Sequence, residues 1–448
     1  MSQAGPAVRT LQHPDDSPQV PRRRWGIAWL LGIGVLVNYL DRVNLSVSHS
    51  GLVAAFGISN IAFGYLSAAY NWTYALCQLP VGVLLDRYGV RKVGRISAFM
   101  WSVASLLAAV APNIASLFGA RLLLGVGEAP TFPANAKATG LWFPEEERGL
   151  ATSIFDSAAK FSSAIGVPVL GIILIRAGWR WSFAITGVIS LLYFFAFYKF
   201  YRDPGDDPEL TGAEKRHIAG PVSAEWTPLI TEPDERVPLS YLLTQRKVLG
   251  LALGFGSYNY VFYLLLTWLP SYLSSELGID LLHSFLYTGV PWLFATFTDF
   301  LGGWSADRLI KKGYDPSKVR LSYLIGGLVF GLGIIGTGYS HTATQALIWI
   351  SISLGGLSAA APVGWSVPSI IAPRGNVGSV GGVINFSNQL SGIFAPVVTG
   401  YIVAITHSYA WAFWVAAIYL VIGICGYIFL LGRIEQVEHP ARSSANAL

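Results

Sequence analysis

Residues 181–198 read WSFAITGVISLLYFFAFY. These 18 residues contain no charged side chain, and one helix needs about 20 apolar residues to cross a bilayer. Apolar residues follow one another here instead of alternating with polar ones, so the stretch does not fit a strand of a transmembrane barrel. Because lipid offers no hydrogen-bond partners to the backbone, such a segment must be helical. The stretch therefore predicts an all-α membrane protein.

Eleven further apolar segments accompany this stretch, and the composition agrees with them. Of the 448 residues, 53% are apolar and only 12% are charged, whereas an average soluble domain is about 25% charged. A soluble enzyme and a disordered chain are therefore both excluded. The twelve predicted spans are 25–50, 60–85, 93–112, 115–139, 149–175, 181–200, 247–275, 281–306, 320–338, 343–366, 376–405 and 410–432.

Lysine and arginine are concentrated in the N-terminal tail and in every second connection between spans. Examples are Arg87 and Lys92 between spans 2 and 3, and Arg308 and Lys312 between spans 8 and 9. Cytoplasmic connections carry such an excess, so we expect both termini to be cytoplasmic. The expected divisions are a cytoplasmic tail at 1–24, a six-helix bundle at 25–200, a cytoplasmic linker at 201–246, a second bundle at 247–432 and a cytoplasmic tail at 433–448.

Matching motifs recur in the two halves of the chain. GVLLDRYGVRK begins at Gly82 and GWSADRLIKKG begins at Gly303, an offset of 221 residues. The pairs at an offset of 230 are Ile154 with Ile384, Ser157 with Ser387, Trp181 with Trp411, and Phe183 with Phe413. Transporters often use such repeats and bind substrate between the halves. The sequence thus predicts a polytopic fold of twelve transmembrane helices in two pseudo-symmetric six-helix bundles.

Charged residues inside the predicted spans are few and unevenly distributed. They are Asp41 and Arg42 in span 1, Arg121 and Glu128 in span 4, Asp156 and Lys160 in span 5, and Asp299 in span 8. Ionised groups within a membrane are costly and usually face a polar cavity or a partner. Spans 3, 6, 9 and 12 carry no charge well inside their bounds. We therefore expect these four spans to be outer, lipid-facing helices around an inner ring with a polar lining.

Several motifs together resemble those of a known family. The loop at 82–92 is similar to the cytoplasmic loop signature of the major facilitator superfamily, and the whole chain resembles that superfamily. More narrowly, NYLDRVN at 38–44, YALCQLP at 74–80, the stretch 121–130 and WFP at 142–144 resemble the anion:cation symporter family. That family includes proton-coupled importers of galactonate, hexuronates, glucarate, tartrate and phthalate, and the vesicular glutamate and sialic acid carriers.

The resemblance implies roles for the charged residues. In the sugar-acid members the acid of span 1 and the glutamate of span 4 couple protons, which implies Asp41 and Glu128. The span-1 arginine binds the substrate carboxylate, which implies Arg42. An arginine in span 4 gates and pairs with acids, which implies Arg121. The remaining members of the implied site hydrogen-bond the substrate; they are Tyr39, Tyr74, Ser366 and Asn385.

The residues themselves support an anion site. Arginine forms strong, bidentate hydrogen bonds to carboxylates, and Arg42 and Arg121 are the candidates. Polar stripes on two spans suit a hydroxylated substrate; they are Tyr70, Tyr74 and Gln78 on span 2, and Asn385, Asn388 and Gln389 on span 11. The alternative is that the buried charges are ion pairs that neutralise one another, but such pairs rarely repay their desolvation cost. For the tyrosine stripe the alternative is simple packing.

The remaining charges admit other roles. The galactonate-type members place a glutamine where this chain has Lys160, which could bind a second carboxylate or could pair with Asp156. Asp299 is open between a structural and a gating role. Asp86 and Arg87, with the repeat counterparts Asp307 and Arg308, are expected to latch the cytoplasmic ends of the two halves.

These observations predict a secondary active transporter rather than an enzyme. We expect proton-coupled uptake of a small organic anion, a sugar acid or a related mono- or dicarboxylate, by rocker-switch alternating access in a bacterial inner membrane. The expected partners are that anion, protons and the lipid bilayer, with no nucleic acid, no cofactor and no metal, and the chain is expected to be a monomer. A drug or metabolite exporter of the same fold and a non-transporting membrane sensor are the alternatives.

Overall fold

A computed structural model describes residues 22–219, 237–373 and 376–437, apart from the side chains at 79, 83, 86, 145, 146, 148, 149, 377 and 378. The described residues are almost entirely helical. They form sixteen α-helices, numbered in chain order, and a terminal π-helix. The helices are α1 Arg23–Val47, α2 His49–Phe56, α3 Asn60–Ala109, α4 Ile114–Glu128, α5 Thr131–Trp142, α6 Glu145–Ala177, α7 Trp179–Phe200, α8 Gly212–Ala219, α9 Leu239–Thr244, α10 Arg246–Ser275, α11 Leu281–Lys311, α12 Pro316–Gly331, α13 Ile334–Thr337, α14 Ala343–Ile371, α15 Val377–Thr406, α16 Ala410–Cys425 and the π-helix Gly426–Leu431.

Eight helical segments of the described chain are long and apolar enough to cross a membrane. They are Arg23–Val47, Leu150–Ala177, Trp179–Phe200, Arg246–Ser275, Pro316–Thr337, Ala343–Ile371, Ser379–Thr406 and Ala410–Leu431. The other predicted spans fall on α3, on α4 with α5, and on α11, which are helical over those ranges. The helical segments therefore fit a fold of twelve spans.

Helix α3 contains two of the predicted spans in one run of 50 residues. Its backbone departs from helical geometry at Gly89, where φ is 76° and ψ is 166°. Such a positive φ is readily adopted by glycine and disfavoured by other residues. Gly89 therefore turns the chain from span 2 into span 3 within the basic loop motif.

Span 4 is divided into α4 and α5 rather than continuous. Helix α4 ends at Glu128, and α5 starts at Thr131 after Ala129 and Pro130, which keep helical backbone angles. Proline lacks the N–H that the helical ladder needs, so Pro130 and Pro133 explain the interruption. The break lies directly beside the buried Glu128.

Exposure along the helices agrees with the expected inner and outer positions. In α10, which is span 7, 83% of the most apolar 18-residue stretch is buried inside the protein. In α12 and α13, which form span 9, the corresponding share is 28%. Spans 6 and 12 present large apolar side chains outward, including Trp181 on α7 and Trp411 on α16, which are 61% and 62% exposed. Their neighbours Phe183 and Phe413 are both buried. These two residue pairs of the internal repeat thus have matching exposure in the two halves.

The two halves meet along three pairs of helices, namely α1 with α10, α3 with α15 and α6 with α11. Hydrogen bonds between the halves cluster at the end of the molecule opposite Arg23. Ser46 donates to the Thr267 carbonyl at 2.7 Å, and Asn71 donates to the Gly392 carbonyl at 2.9 Å. We call this cluster the far seal; its further contacts are His49 with Ser271 and Tyr65 with Tyr401.

Candidate functional site

Arg42 and Glu128 form a buried ion pair inside the N-terminal half. The Arg42 Nε donates to Glu128 Oε2 at 3.2 Å. The side chains are 4% and 0% exposed, respectively. Helix α1 supplies the arginine five residues before its end, and α4 supplies the glutamate as its last residue. The resemblance-based prediction that these two residues share one site is consistent with this contact.

Three tyrosine rings surround the Arg42 guanidinium. Its central carbon lies 4.4 Å from the ring centre of Tyr39, 4.7 Å from that of Tyr70 and 5.4 Å from that of Tyr74. Cations within about 6 Å of an aromatic ring centre are attracted by the electron-rich face. We call these three rings the tyrosine cage. The cage holds Arg42 in place while leaving part of its hydrogen-bonding fork unused.

Arg121 and Asp41 contact each other differently from the expected ion pair. Arg121 Nη1 donates to the backbone carbonyl of Asp41 at 3.2 Å, rather than to its carboxylate. The Asp41 carboxylate instead accepts a hydrogen bond from the Ser190 hydroxyl of α7 at 2.8 Å. All three side chains are buried. Asp41 is therefore a buried acid whose described hydrogen-bond partner is neutral.

A narrow cavity of about 20 Å³ lies against both arginines, between the halves and next to the far seal. Several buried atoms at its wall have no hydrogen-bond partner, among them Arg42 Nη2, Arg121 Nε and the Tyr70 hydroxyl. Buried polar groups normally have partners, so these donors are available to a group that enters the cavity. The cavity lining is Arg42, Leu45, Ser46, Ser67, Tyr70, Asn71, Arg121, Tyr263, Leu266 and Thr267.

Lys160 is paired with acids on both sides. Its Nζ lies 3.1 Å from Asp156 Oδ2, one helical turn earlier on α6, and also contacts Asp299 of α11 in the other half. Of the two readings from the sequence, pairing with Asp156 is present in this structure. The contact with Asp299 was not anticipated, because sequence spacing cannot show which helices of the two halves meet.

The C-terminal half contributes the predicted amide and hydroxyl groups. Asn385 Nδ2 donates to Gln78 Oε1 across the halves at 2.9 Å. Asn388 is buried, and its Oδ1 has no partner. The Ser366 hydroxyl donates to the Val363 carbonyl within its own helix, α14.

The expected latch residues lie apart from this site. Arg87 is exposed, and its guanidinium lies 5.4 Å from the Tyr88 ring. Asp307 and Arg308 are also exposed, with Arg308 over Trp304. The Asp86 side chain lies outside the described residues. The latch therefore stays a prediction.

Sequence reasoning left two aromatic residues of the site out of the predicted set. Tyr70 contributes to the tyrosine cage, and its place in the Tyr70–Tyr74–Gln78 stripe was the available signal. Tyr263 lines the cavity from α10. No signal marked it, since α10 is rich in tyrosine throughout and only the packing shows which ring faces the arginines.

Paired helical halves, an apolar exterior and a central cavity with buried arginines define a membrane transporter. The model of the Major Facilitator Superfamily matches residues 31–396, and the chain belongs to that superfamily. It is 40% identical to an uncharacterized transporter, YybO, of Bacillus subtilis, over 93% of this chain and 95% of that protein. It is 33% identical to a D-galactonate transporter of Escherichia coli, over 95% of this chain and 99% of that protein.

A solved structure shows the same fold. The crystal structure of a D-xylose-proton symporter superposes with a TM-score of 0.72 at 17% identity, covering 91% of this chain and 98% of that one. The predicted all-α fold of two six-helix bundles is thereby confirmed. So is the prediction that the chain belongs with the anion:cation symporters, as an integral membrane transporter and not an enzyme.

Proposed function

We propose that this protein imports a small organic anion, a sugar acid or a related carboxylate, together with protons. The observation that carries the proposal is the buried Arg42–Glu128 pair, with an unpaired Arg42 nitrogen at a cavity. A carboxylate substrate and the Glu128 carboxylate would compete for the same guanidinium. Protonation of Glu128 removes its negative charge and frees Arg42 for the substrate, so proton and anion load together.

Asp41 would be the second coupling acid. It is buried, and its carboxylate is bonded to Ser190 rather than to a cation. A buried charge without an opposite charge is costly, so its neutral form fits the loaded state. Arg121, bonded to the Asp41 carbonyl, has donors left to hold the other end of the substrate.

Polar groups near the arginines support a hydroxylated substrate. Ser67 and Asn71 line the cavity with buried oxygens that have no partner, and the hydroxyls of Tyr39 and Tyr74 lie on the cage around Arg42. Asn385, Asn388 and Ser366 would complete the site from the other half. The D-galactonate transporter among the relatives agrees with this chemistry.

The chain would work as a monomer with both termini in the cytoplasm of a bacterial cell. The far seal would then close the extracellular side, and this structure would correspond to a state that faces inward or is closed. Rocking of the halves breaks the far seal and exposes Arg42 to the outside. Each positive charge that moves inward gains about 2.3 kcal/mol per 100 mV, so import of a monoanion with two protons would be electrogenic.

Transport by purified protein in proteoliposomes tests the proposal. With D-galactonate, D-glucarate and a neutral hexose outside, we expect accumulation of at least one acid under an inward proton gradient and none of the hexose. Collapse of the gradient with a protonophore should abolish accumulation. Gradient-driven efflux of the same acids would instead support the exporter alternative, and failure to move any organic anion would refute the proposal.

A further inference from the structure

We infer that Asp299 on α11 is an additional proton-binding residue, and that Lys160 links its protonation to the contact between the two halves. The inference rests on the proposed function, since it concerns the proton count of the same transport reaction. It starts from three charged groups outside the arginine site, of which Lys160 and Asp299 are buried. They are Lys160 and Asp156 on α6 and Asp299 on α11.

Lys160 lies between its two carboxylates. Its side chain is 4% exposed, that of Asp299 is 5% exposed and that of Asp156 is 17% exposed. One partner, Asp156, belongs to the same helix, and the other belongs to the opposite half. The lysine can therefore be neutralised within its own half or across the interface. One positive charge cannot neutralise both acids at once.

The charged groups well inside the predicted spans are three cations and four acids. Arg42 and Arg121 lie with Glu128 and Asp41 at the arginine site, whereas Lys160 faces two carboxylates. With every group ionised, the interior carries one excess negative charge. An anionic substrate adds to that excess in a region where ionised groups are costly. Substrate binding should therefore favour proton uptake at the group of three.

Asp299 is the better candidate for that proton. Asp156 is more exposed, and its position four residues before Lys160 gives it a partner in any arrangement of the halves. Asp299 is more deeply buried, and the described groups that face it are Lys160, Asp156 and Tyr258 of α10. Helix α14 also packs on α11 and contains no charged residue.

Protonation of Asp299 would change the interface. With Asp299 ionised, Lys160 bridges α6 and α11; with Asp299 neutral, Lys160 keeps Asp156 as its counter-ion, and the charged bridge between the halves is gone. Tyr39 connects this group to the arginine site, because its ring contacts Arg42 and it lies within electrostatic range of both Lys160 and Asp156. A substrate bound at Arg42 can thus affect the charge at Asp299.

Proton uptake on addition of D-galactonate and D-glucarate, measured with a pH dye in weakly buffered detergent solution, tests the inference. We expect Asp299→Asn to bind one proton fewer per substrate than the wild type while still binding the anion. The control Asp280→Asn, an exposed N-cap residue at the start of the same helix, should match the wild type. An unchanged proton number in Asp299→Asn would overturn the inference.

The variant Asp156→Asn tests whether the proton binds to Asp299 or to Asp156. This variant also removes the excess charge, but it leaves Lys160 paired with Asp299 alone, so the bridge between the halves persists. Counterflow should therefore be slower in Asp156→Asn than in Asp299→Asn. Equal or reversed rates would overturn the assignment to Asp299.

A third variant covers the case in which Asp299→Asn does not fold. Asp299→Glu keeps an acid, so it should retain the wild-type proton number and shift the carboxyl band that appears in infrared difference spectra on substrate binding. An unshifted band would overturn the assignment. If the wild type takes up no proton with either acid, the proposed function fails. If the wild type takes up protons and Asp299→Asn takes up the same number, only the inference about Asp299 fails.

Discussion

Arg42 is contacted from several directions, but not all of its hydrogen-bond donors have partners. The three rings of the tyrosine cage surround its guanidinium, and its Nε donates a hydrogen bond to Glu128. Its Nη2 has no hydrogen-bond partner. A guanidinium has five N–H donors in a planar fork. Arg42 can therefore exchange one carboxylate for another without moving far, which is what the proposed exchange between Glu128 and a substrate requires.

The first prediction concerns Glu128→Gln. A glutamine is close in size to the glutamate but carries no negative charge and binds no proton. Arg42 therefore remains available to the substrate, while the proposed coupling of substrate transport to protons is lost. We expect counterflow of D-galactonate to persist and proton-driven accumulation to disappear in proteoliposomes. Glu209→Gln, an exposed change, should accumulate normally. Normal accumulation by Glu128→Gln would exclude Glu128 as a coupling residue.

The second prediction concerns Arg42→Lys. The ammonium group keeps the charge but cannot form the bidentate contact or fit the cage as a planar group. We expect the affinity for D-galactonate to fall at least tenfold, which corresponds to about 1.4 kcal/mol, by isothermal titration calorimetry in detergent. Arg433→Lys, at a side chain that is 73% exposed, should bind as the wild type does. An Arg42→Lys variant with unchanged affinity would place the substrate elsewhere.

Sequence reasoning at this scale could locate the charged residues inside the spans, but it could not give their partners. Arg42 and Glu128 could be chosen because charges inside apolar spans are rare, and the structure places them together. The contact of Arg121 with the Asp41 carbonyl could not be predicted, since a backbone partner leaves no mark in the sequence. The same holds for Tyr263, whose role depends on how α10 is rotated.

At the scale of elements, ion pairs join several helix ends of the N-terminal half on the side of the molecule where Arg23 lies. Arg24 at the start of α1 donates to Glu147 near the start of α6 at 2.7 Å, and also to Glu214 of α8 at 3.1 Å. His217 of α8 contacts Glu147 as well. The described first part of the predicted linker is therefore packed against the bundle rather than free of it.

The third prediction concerns Glu147→Gln, which removes the acid that Arg24 and His217 contact. The hydrogen bond from Arg24 lowers the pKa of Glu147 below its ordinary value of 4.5, and His217 adds to that effect, while partial burial opposes it. Because the folded pKa is the lower one, the contribution to stability is complete above pH 4.5 and is lost as the pH falls through the folded pKa. Glu147→Gln should therefore destabilise the protein at neutral pH and have little effect in strong acid.

The size of that effect can be bounded. A hydrogen bond to a charged group contributes about 1.5–3 kcal/mol, and the lower end applies because a quarter of the Glu147 side chain is exposed. Unfolding in detergent, followed by intrinsic fluorescence at several pH values, measures it. Glu209→Gln, whose side chain is 69% exposed, should change stability far less. A Glu147→Gln effect that grows as the pH falls would contradict the sign.

Helix bounds could be predicted from the sequence only where polarity changes along the chain. The start of α10 and the end of α15 lie within one residue of the predicted edges. The break between α4 and α5 was missed because Pro130 and Pro133 lie in an otherwise continuous apolar stretch. In α3, charges marked the connection between spans 2 and 3, and the helix is kinked there at Gly89.

At the scale of the whole molecule, the structure places the cavity between the far seal and a weaker contact on the other side. The far seal involves four hydrogen bonds among the described residues, two of them to backbone carbonyls. Toward the chain termini, Gln78 and Asn385 form the described side-chain bond between α3 and α15. This asymmetry depends on the arrangement of the halves, which no local sequence pattern encodes.

The fourth prediction tests whether the far seal must open during transport. Ser46 of α1 and the Thr267 carbonyl of α10 are joined at 2.7 Å, so cysteines at these two positions can be bridged by a short bifunctional thiol reagent that contains a cleavable disulfide. The variant also needs Cys77 and Cys425 replaced by serine. If the halves separate here in each cycle, the bridge holds them together and uptake of D-galactonate should fall by at least tenfold.

Reduction of the bridge should restore uptake, which separates locking from damage to the protein. Each single-cysteine variant, treated with the same reagent, should keep its activity, because neither can join the halves. Rapid uptake by the fully bridged double variant would mean that α1 and α10 stay together throughout the cycle, and the proposed rocking motion would then be wrong.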